Sequence, residues 1–302
     1  MLTPCKKSSE AVLLLAHGGP SSLDDVKPFL ANILGNRLTP EIALTIEERY
    51  RRVGGKSPLL AITRSLAQKL SESIQLPVYV GMKYWDPLIE DTLRQMERDG
   101  VERYTAICLA PHFSELSIGG YRKRLTSGMG CRFVRSWHDL ASFIDATTLT
   151  LSPSPALRER EVLLFTAHSL PISALGSGDP YVEQLLQTCR LVAERLGLSR
   201  EQWVLGFQSA SKTDSTWLSP HVEHLIPELA QKGVKEIVLS PIGFVAEHIE
   251  ILYDIDVLFQ EIAYKNGISL TRTPMLNDRP EMVDILRACI DFAATCPYES
   301  VQ

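Results

Sequence analysis

VLLLAHGGP, residues 12–20, returns about 150 residues later as VLLFTAHSLP, residues 162–171. Each is an apolar run of strand length that ends in a histidine and a turn-forming group. A second pair rhymes as well. DGVERYTAICLAPHF (99–113) and QKGVKEIVLSPIGF (231–244) each pass from a helix end through Gly-Val and a strand to a proline. The motifs lie about 90 residues apart in the first half and about 70 in the second. Such a repeat constrains the chain to two similar halves. Short apolar runs alternate with longer amphipathic segments throughout, which predicts an α/β fold with parallel sheets wrapped in helices. Strands are expected over 11–16, 77–81, 104–110, 132–135, 162–167, 203–208 and 235–240. Helices are expected over 22–34, 40–52, 58–73, 86–98, 180–195 and 221–231. Two doubly wound domains, 1–150 and 151–302, would face each other across a cleft, with the Ser-Pro-rich LSPSPALRER (151–160) as linker. A C-terminal helix over 280–296 can pack back on the first domain.

Ligands of open parallel sheets bind beyond the carboxyl ends of the strands. His17, His168 and the segment after Pro241 all fall at such ends. One histidine after one strand is usually structural; two in corresponding positions argue for function. In PIGFVAEHIEILYDIDVLF (241–259), helical spacing puts Glu247, Glu250 and Asp254 on one face and Ile251, Ile255 and Phe259 on another. Acidic stripes are ordinarily solvated. One that starts just past a strand end lines a cleft, where a carboxylate beside an imidazole binds a divalent metal or moves protons.

Other chemistries fit less well. GGP at 18–20 lacks the spacing of a dinucleotide fingerprint, and RVGGKSP at 52–58 follows a helix-like segment where a phosphate loop needs a strand. AHSLP lacks the turn of a serine nucleophile. A net charge of −5 with scattered basic residues argues against nucleic-acid binding. No apolar run reaches the roughly 18 residues of a membrane span, and a cytoplasmic chain is the simple inference. Cys5, Cys108, Cys131, Cys189, Cys289 and Cys296 form no C-x-x-C pair. Cys289 and Cys296 lack a third nearby ligand, which argues against an iron–sulfur cluster of the [2Fe-2S] kind.

RYRRVGGKSPL (49–59), GMKYWDPLIEDTL (81–93), LAPHFSELSIGGYRKR (109–124), FTAHSLP (165–171), GDPYVEQ (178–184), FQSASKTDSTWLSP (207–220) and PIGFVAEHIEILYDID (241–256) together resemble the ferrochelatases. The resemblance spans nearly the whole chain. It implies a chelatase-like fold of two Rossmann-like domains with a porphyrin clamped between them. It further implies a lyase that inserts Fe²⁺ into that porphyrin for haem biosynthesis, with iron as substrate and no cofactor required. It leaves room for transient contact with neighbouring haem-pathway enzymes. His168 and Glu250 correspond to the family's metal-site pair, with neutral His168 binding iron or taking a proton and Glu250 offsetting the cation's charge.

LAPHFSELSIGGYRKR resembles the branch that uses coproporphyrin III and yields coproheme, rather than the branch that uses protoporphyrin IX. In the coproporphyrin branch, residues matching Arg49, Tyr50, Ser57 and Tyr121 hold the propionates, a role that suits arginine forks and hydroxyls. Two departures stand out. Leu34 lies at or near a further propionate arginine, with Arg37 the candidate substitute. Leu258 stands where the branch has an acidic residue, so an outer metal site of Glu250 and Asp254 is incomplete and no bound Mg²⁺ is expected. At the position of His17 that branch has a tyrosine that ligates product iron; the imidazole here is expected to do the same from the face opposite His168. Rival readings are a cobalt or nickel chelatase and a non-catalytic haem-binding or haem-delivery protein.

Overall fold

In the computed structural model the described residues are 9–151, 160–210 and 216–300. The first half runs β1 (Glu10–Ala16), α1 (Val26–Leu34), α2 (Pro40–Arg52), α3 (Leu59–Ile74), β2 (Val78–Met82), α4 (Ile89–Arg98), β3 (Arg103–Cys108), α5 (Ile118–Arg122), β4 (Gly130–Val134) and α6 (Ala141–Leu151). The second runs β5 (Glu161–His168), α7 (Tyr181–Arg195), β6 (Trp203–Gln208), α8 (Val222–Gln231) and β7 (Glu236–Ser240). A π-helix (Glu250–Phe259), α9 (Gln260–Lys265), β8 (Ser269–Arg272), α10 (Pro280–Ala294) and β9 (Glu299–Ser300) complete it.

The rhyme in the sequence is a rhyme in topology. One sheet has strand order β2-β1-β3-β4-β9 and the other β6-β5-β7-β8, so four strands in each half follow the same order. All pairs are parallel except β4–β9, which is antiparallel. The chain thus has an α/β architecture of two halves with matching topology. Central strands β1 and β5 are buried on both faces, which is why they read as unbroken apolar runs without alternation.

The strands and helices expected from the sequence are present with small shifts at their ends, and β8, β9, α5, α6 and α9 add to them. Most of the expected linker, residues 152–159, lies outside the described residues. The C-terminal helix α10 packs against α3 and α6 and against β3 and β4, all in the first half. One apolar core runs through both halves, from Leu14 and Phe143 to Phe165, Leu185 and Ile285. A smaller cluster of Ala16, Leu59, Met82 and Ala246 joins the two beside the strand ends.

Candidate active site at the facing strand ends

β1 lies between β2 and β3, and β5 between β6 and β7. These are the points where strand order reverses and where an open sheet leaves a crevice. His17 follows the last residue of β1, and His168 is the last residue of β5. The chain leaving β7 crosses directly over the end of β5. The Gly243 N–H donates to the Thr166 carbonyl at 3.0 Å. A Cβ at Gly243 would lie 2.7 Å from the Ala167 Cβ and 2.8 Å from its Cα, so only glycine permits the approach. This crossing delivers Glu250 to His168.

The Nδ1 of His168 is 3.0 Å from Oε2 of Glu250. A carboxylate can only accept, so Nδ1 carries a proton, and in the neutral imidazole Nε2 holds the lone pair. Desolvation pulls the His168 pKa down. The charge and hydrogen bond of Glu250, with Asp254 behind, outweigh it and the net direction is up. Burial opposes ionisation of Glu250 too, but His168, His248 and His17 around it drive its pKa far below the usual carboxylate range.

His17 is exposed to the cleft yet set deep in surrounding protein, and that desolvation brings its pKa down to about 4. Its Nδ1 lies 3.2 Å from the Gly18 carbonyl and its ring packs against Tyr84 and Phe29. A carbonyl also only accepts, so the same tautomer follows and Nε2 is again an unprotonated lone pair. His248 completes a set of three. Its Nδ1 is 2.9 Å from the Ala246 carbonyl, and its charge is felt by both His17 and Glu250. His248 lies two residues before Glu250 and is not among the site residues expected from the sequence.

Glu250 opens a π-helix rather than an α-helix. A wider turn of this kind is rare and concentrates at functional sites. Ile251, Ile255 and Phe259 form the expected apolar stripe and are fully buried. The expected acidic stripe needs correcting. Glu247 precedes the helix, and its carboxylate faces Arg272 at 3.5 Å. Asp254 is buried, accepts from the Ser209 hydroxyl at 2.6 Å, and has its other oxygen 3.6 Å from Arg49. Desolvation and the charge of Glu250 raise its pKa to about 6, against the pull of Ser209 and Arg49.

Arg49 also lies over the ring of Tyr253, 5.1 Å from its centre, and Arg52 approaches the same ring and pairs with Glu261 at 2.7 Å. Helix α2 is thereby strapped to the π-helix and α9 across the halves. Tyr50 is almost wholly buried beside Phe29 and Ala43. Ser57 sits against the loop after His17: its N–H donates to the Pro20 carbonyl at 2.8 Å, and a Cβ on Gly19 would meet its Oγ at 2.6 Å. Tyr121 is buried under the Lys83 ammonium, 4.8 Å from the ring centre. Arg37 stands exposed on a single 3₁₀ turn after α1. A groove of about 790 Å³ between α3 and α4, along the edge strand β2, holds none of these residues.

The ferrochelatase family model matches residues 9–293. The chain belongs to the ferrochelatase family. It is therefore an enzyme of the lyase class that inserts iron into a porphyrin, and iron and porphyrin are its substrates. A ferrochelatase of Deinococcus radiodurans is 36% identical over 97% of this chain and 99% of its own length. One of Herpetosiphon aurantiacus is 38% identical over 93% of this chain and 97% of its own. A relative from Bacillus subtilis, named coproporphyrin III ferrochelatase, is 35% identical over 92% of this chain and 96% of its own. In fold, the chain is similar to SirB from Bacillus subtilis solved with Fe³⁺, with a TM-score of 0.60 at 12% identity over 94% of this chain and 95% of that one. No helix among the described residues is long and apolar enough to cross a membrane.

Proposed function

We propose that this ferrochelatase inserts Fe²⁺ into coproporphyrin III to give coproheme, with His168 and Glu250 as its metal and proton-transfer pair. The observation that carries the metal pair is the 3.0 Å contact between them at the reversal point of the second sheet, and the choice of porphyrin is supported by the relatives named coproporphyrin III ferrochelatase. Insertion requires that Fe²⁺ lose its water, that two pyrrole protons leave, and that the macrocycle bend toward the metal. His168 offers a lone pair on Nε2 to the iron or to a pyrrole proton. Glu250 stays ionised beside it and offsets the imidazolium or the cation. His17, from the other sheet, ligates the iron of the product on the opposite face, where its depressed pKa keeps it neutral. Arg49, Tyr50, Ser57 and Tyr121 are assigned to the propionates, with Arg37 in place of the arginine that Leu34 replaces. Asp254 is assigned to holding Arg49 rather than to an outer metal site, because Ser209 and Arg49 occupy both its oxygens.

A second reading, protoporphyrin IX as substrate, is favoured by Leu34 and by the prior engagement of Arg49 with Asp254. Anaerobic turnover with Fe²⁺ on each porphyrin decides between them. A kcat/KM for coproporphyrin III at least about tenfold above that for protoporphyrin IX is expected, a difference of about 1.4 kcal/mol in barrier. The reverse preference overturns the substrate assignment.

A further inference from the structure

Tyr181 is the first residue of α7 and is buried. Its hydroxyl donates to the main-chain carbonyl of His168 at 2.9 Å. The tyrosine is itself fastened. Its N–H donates to Oδ1 of Asp179 at 3.1 Å, while Oδ2 of Asp179 accepts from the Ser114 hydroxyl at 2.9 Å and the Glu115 N–H at 3.0 Å in the loop after β3. The hydroxyl that reaches His168 is thus anchored through Asp179 to the first half of the molecule.

Gln208 does the same for the other partner. It ends β6, lies opposite His168 in the ladder, and has no exposed surface. Its Nε2 donates to the main-chain carbonyl of Glu250 at 3.0 Å. Because a carbonyl only accepts, the amide must face Glu250 with its nitrogen. Its Oε1 then has no partner among the described residues, so this single bond orients the amide. Glu250 is the residue at which the helix widens, where its carbonyl must reach one residue further along the chain than in an α-helix.

We propose that Tyr181 and Gln208 are positioning residues, which set the spacing of His168 and Glu250 by holding the main-chain carbonyl of each. The proposal rests on the reading of those two residues as the metal pair. Neither side chain touches the reacting atoms; each acts on the residue that does. Outer-shell partners of metal-site side chains are typically worth about 10–100-fold in activity or metal affinity.

The test uses the full chain with Tyr181→Phe, which removes one oxygen, and Gln208→Met, which removes the donor and keeps the length. Anaerobic Fe²⁺ insertion is followed well below the melting temperature of each variant. The expected result is a kcat lowered by about 10–100-fold with the porphyrin KM within about twofold of the unmodified protein. A kcat within about twofold, or a loss confined to KM, overturns the proposal; a merely structural role would lower the melting temperature and leave kcat in place. Should Gln208→Met not fold, Tyr181→Phe decides. His168→Ala measured alongside separates the two layers. Near-normal turnover there sinks the metal pair itself, whereas an inactive His168→Ala with an unimpaired Tyr181→Phe sinks only the positioning.

Discussion

Gly243→Ala tests whether the crossing over β5 places His168 against Glu250. The new methyl would sit 2.7 Å from the Ala167 Cβ and 2.8 Å from its Cα. Carbon atoms rest at about 3.5 Å or more, so one backbone must move by about 0.7 Å. Neither segment is free to yield, since Ala167 is fully buried in the central strand and the Gly243 N–H is tied to Thr166. Overpacking of this kind costs about 1–3 kcal/mol, and contact with backbone argues for the upper part of that range. At roughly 2–4 °C per kcal/mol, the melting temperature should fall by about 4–12 °C. The displacement falls on the residue next to His168. Added to a contact of 3.0 Å, it would stretch the bond to Glu250 beyond the roughly 3.2 Å of a normal hydrogen bond. Turnover should drop by about 10–100-fold with little change in porphyrin KM. Gly176→Ala is the control, because a Cβ there meets nothing within 4 Å. Scanning calorimetry and anaerobic steady-state kinetics on both variants give the answer. If Gly243→Ala melts and turns over like Gly176→Ala, the crossing does not position the site.

The pH dependence of kcat should show an acid limb, with activity lost as falling pH protonates His168, and its midpoint above the usual histidine value of about 6.5; a limb well below that value would contradict the contact with Glu250. His17→Ala should change the visible spectrum of the iron–porphyrin product complex, and the unmodified protein's spectrum should hold constant from about pH 5.5 upward because His17 titrates near 4; an unchanged spectrum in the variant removes His17 as a ligand. Asp254 has a folded pKa of about 6 against 3.8, so the stability it contributes is present at low pH and lost as pH rises through 6. Asp254→Asn should remove this decline, on the order of 3 kcal/mol, and chemical denaturation at pH 4 and pH 7 measures it. An unchanged difference between the two pH values would show that Asp254 ionises freely in the folded protein.

Much of the scaffold was legible because central parallel strands bury both faces and leave an unbroken apolar signature, as in β1 and β5. The doubling of that signature located His17 and His168 together. β8 was not legible: Ser269–Arg272 is four residues at a sheet edge, with only Leu270 deeply buried. β9 is shorter still, and its pairing with β4 is a long-range matter that local sequence does not encode. The π-helix escaped notice for a different reason. Its apolar residues recur every four positions, a spacing an α-helix also satisfies, so the start at Glu250 and the exclusion of Glu247 depend on tertiary packing. The bonds of Tyr181 and Gln208 to the carbonyls of His168 and Glu250 were hidden because a buried tyrosine and a glutamine at a strand end read as ordinary filling until their partners are known. His248 carried a signal that could have been used, a third histidine within the segment that already held the carboxylate.

The last helix and strand have a consequence in time. Ile285 and Leu286 of α10 are fully buried in a core that includes Leu66 and Leu70 of α3 and Phe143 of α6, and β9 covers the outer edge of β4. A chain made from its amino end therefore finishes its first lobe after its second. Until α10 and β9 leave the ribosome, α3 and α6 hold an apolar face open and β4 offers an unpaired edge, the kind of surface on which nascent chains stick to one another. Although the topology is duplicated, the two lobes are not separable modules: a protein cut between them would carry away the piece that completes its partner.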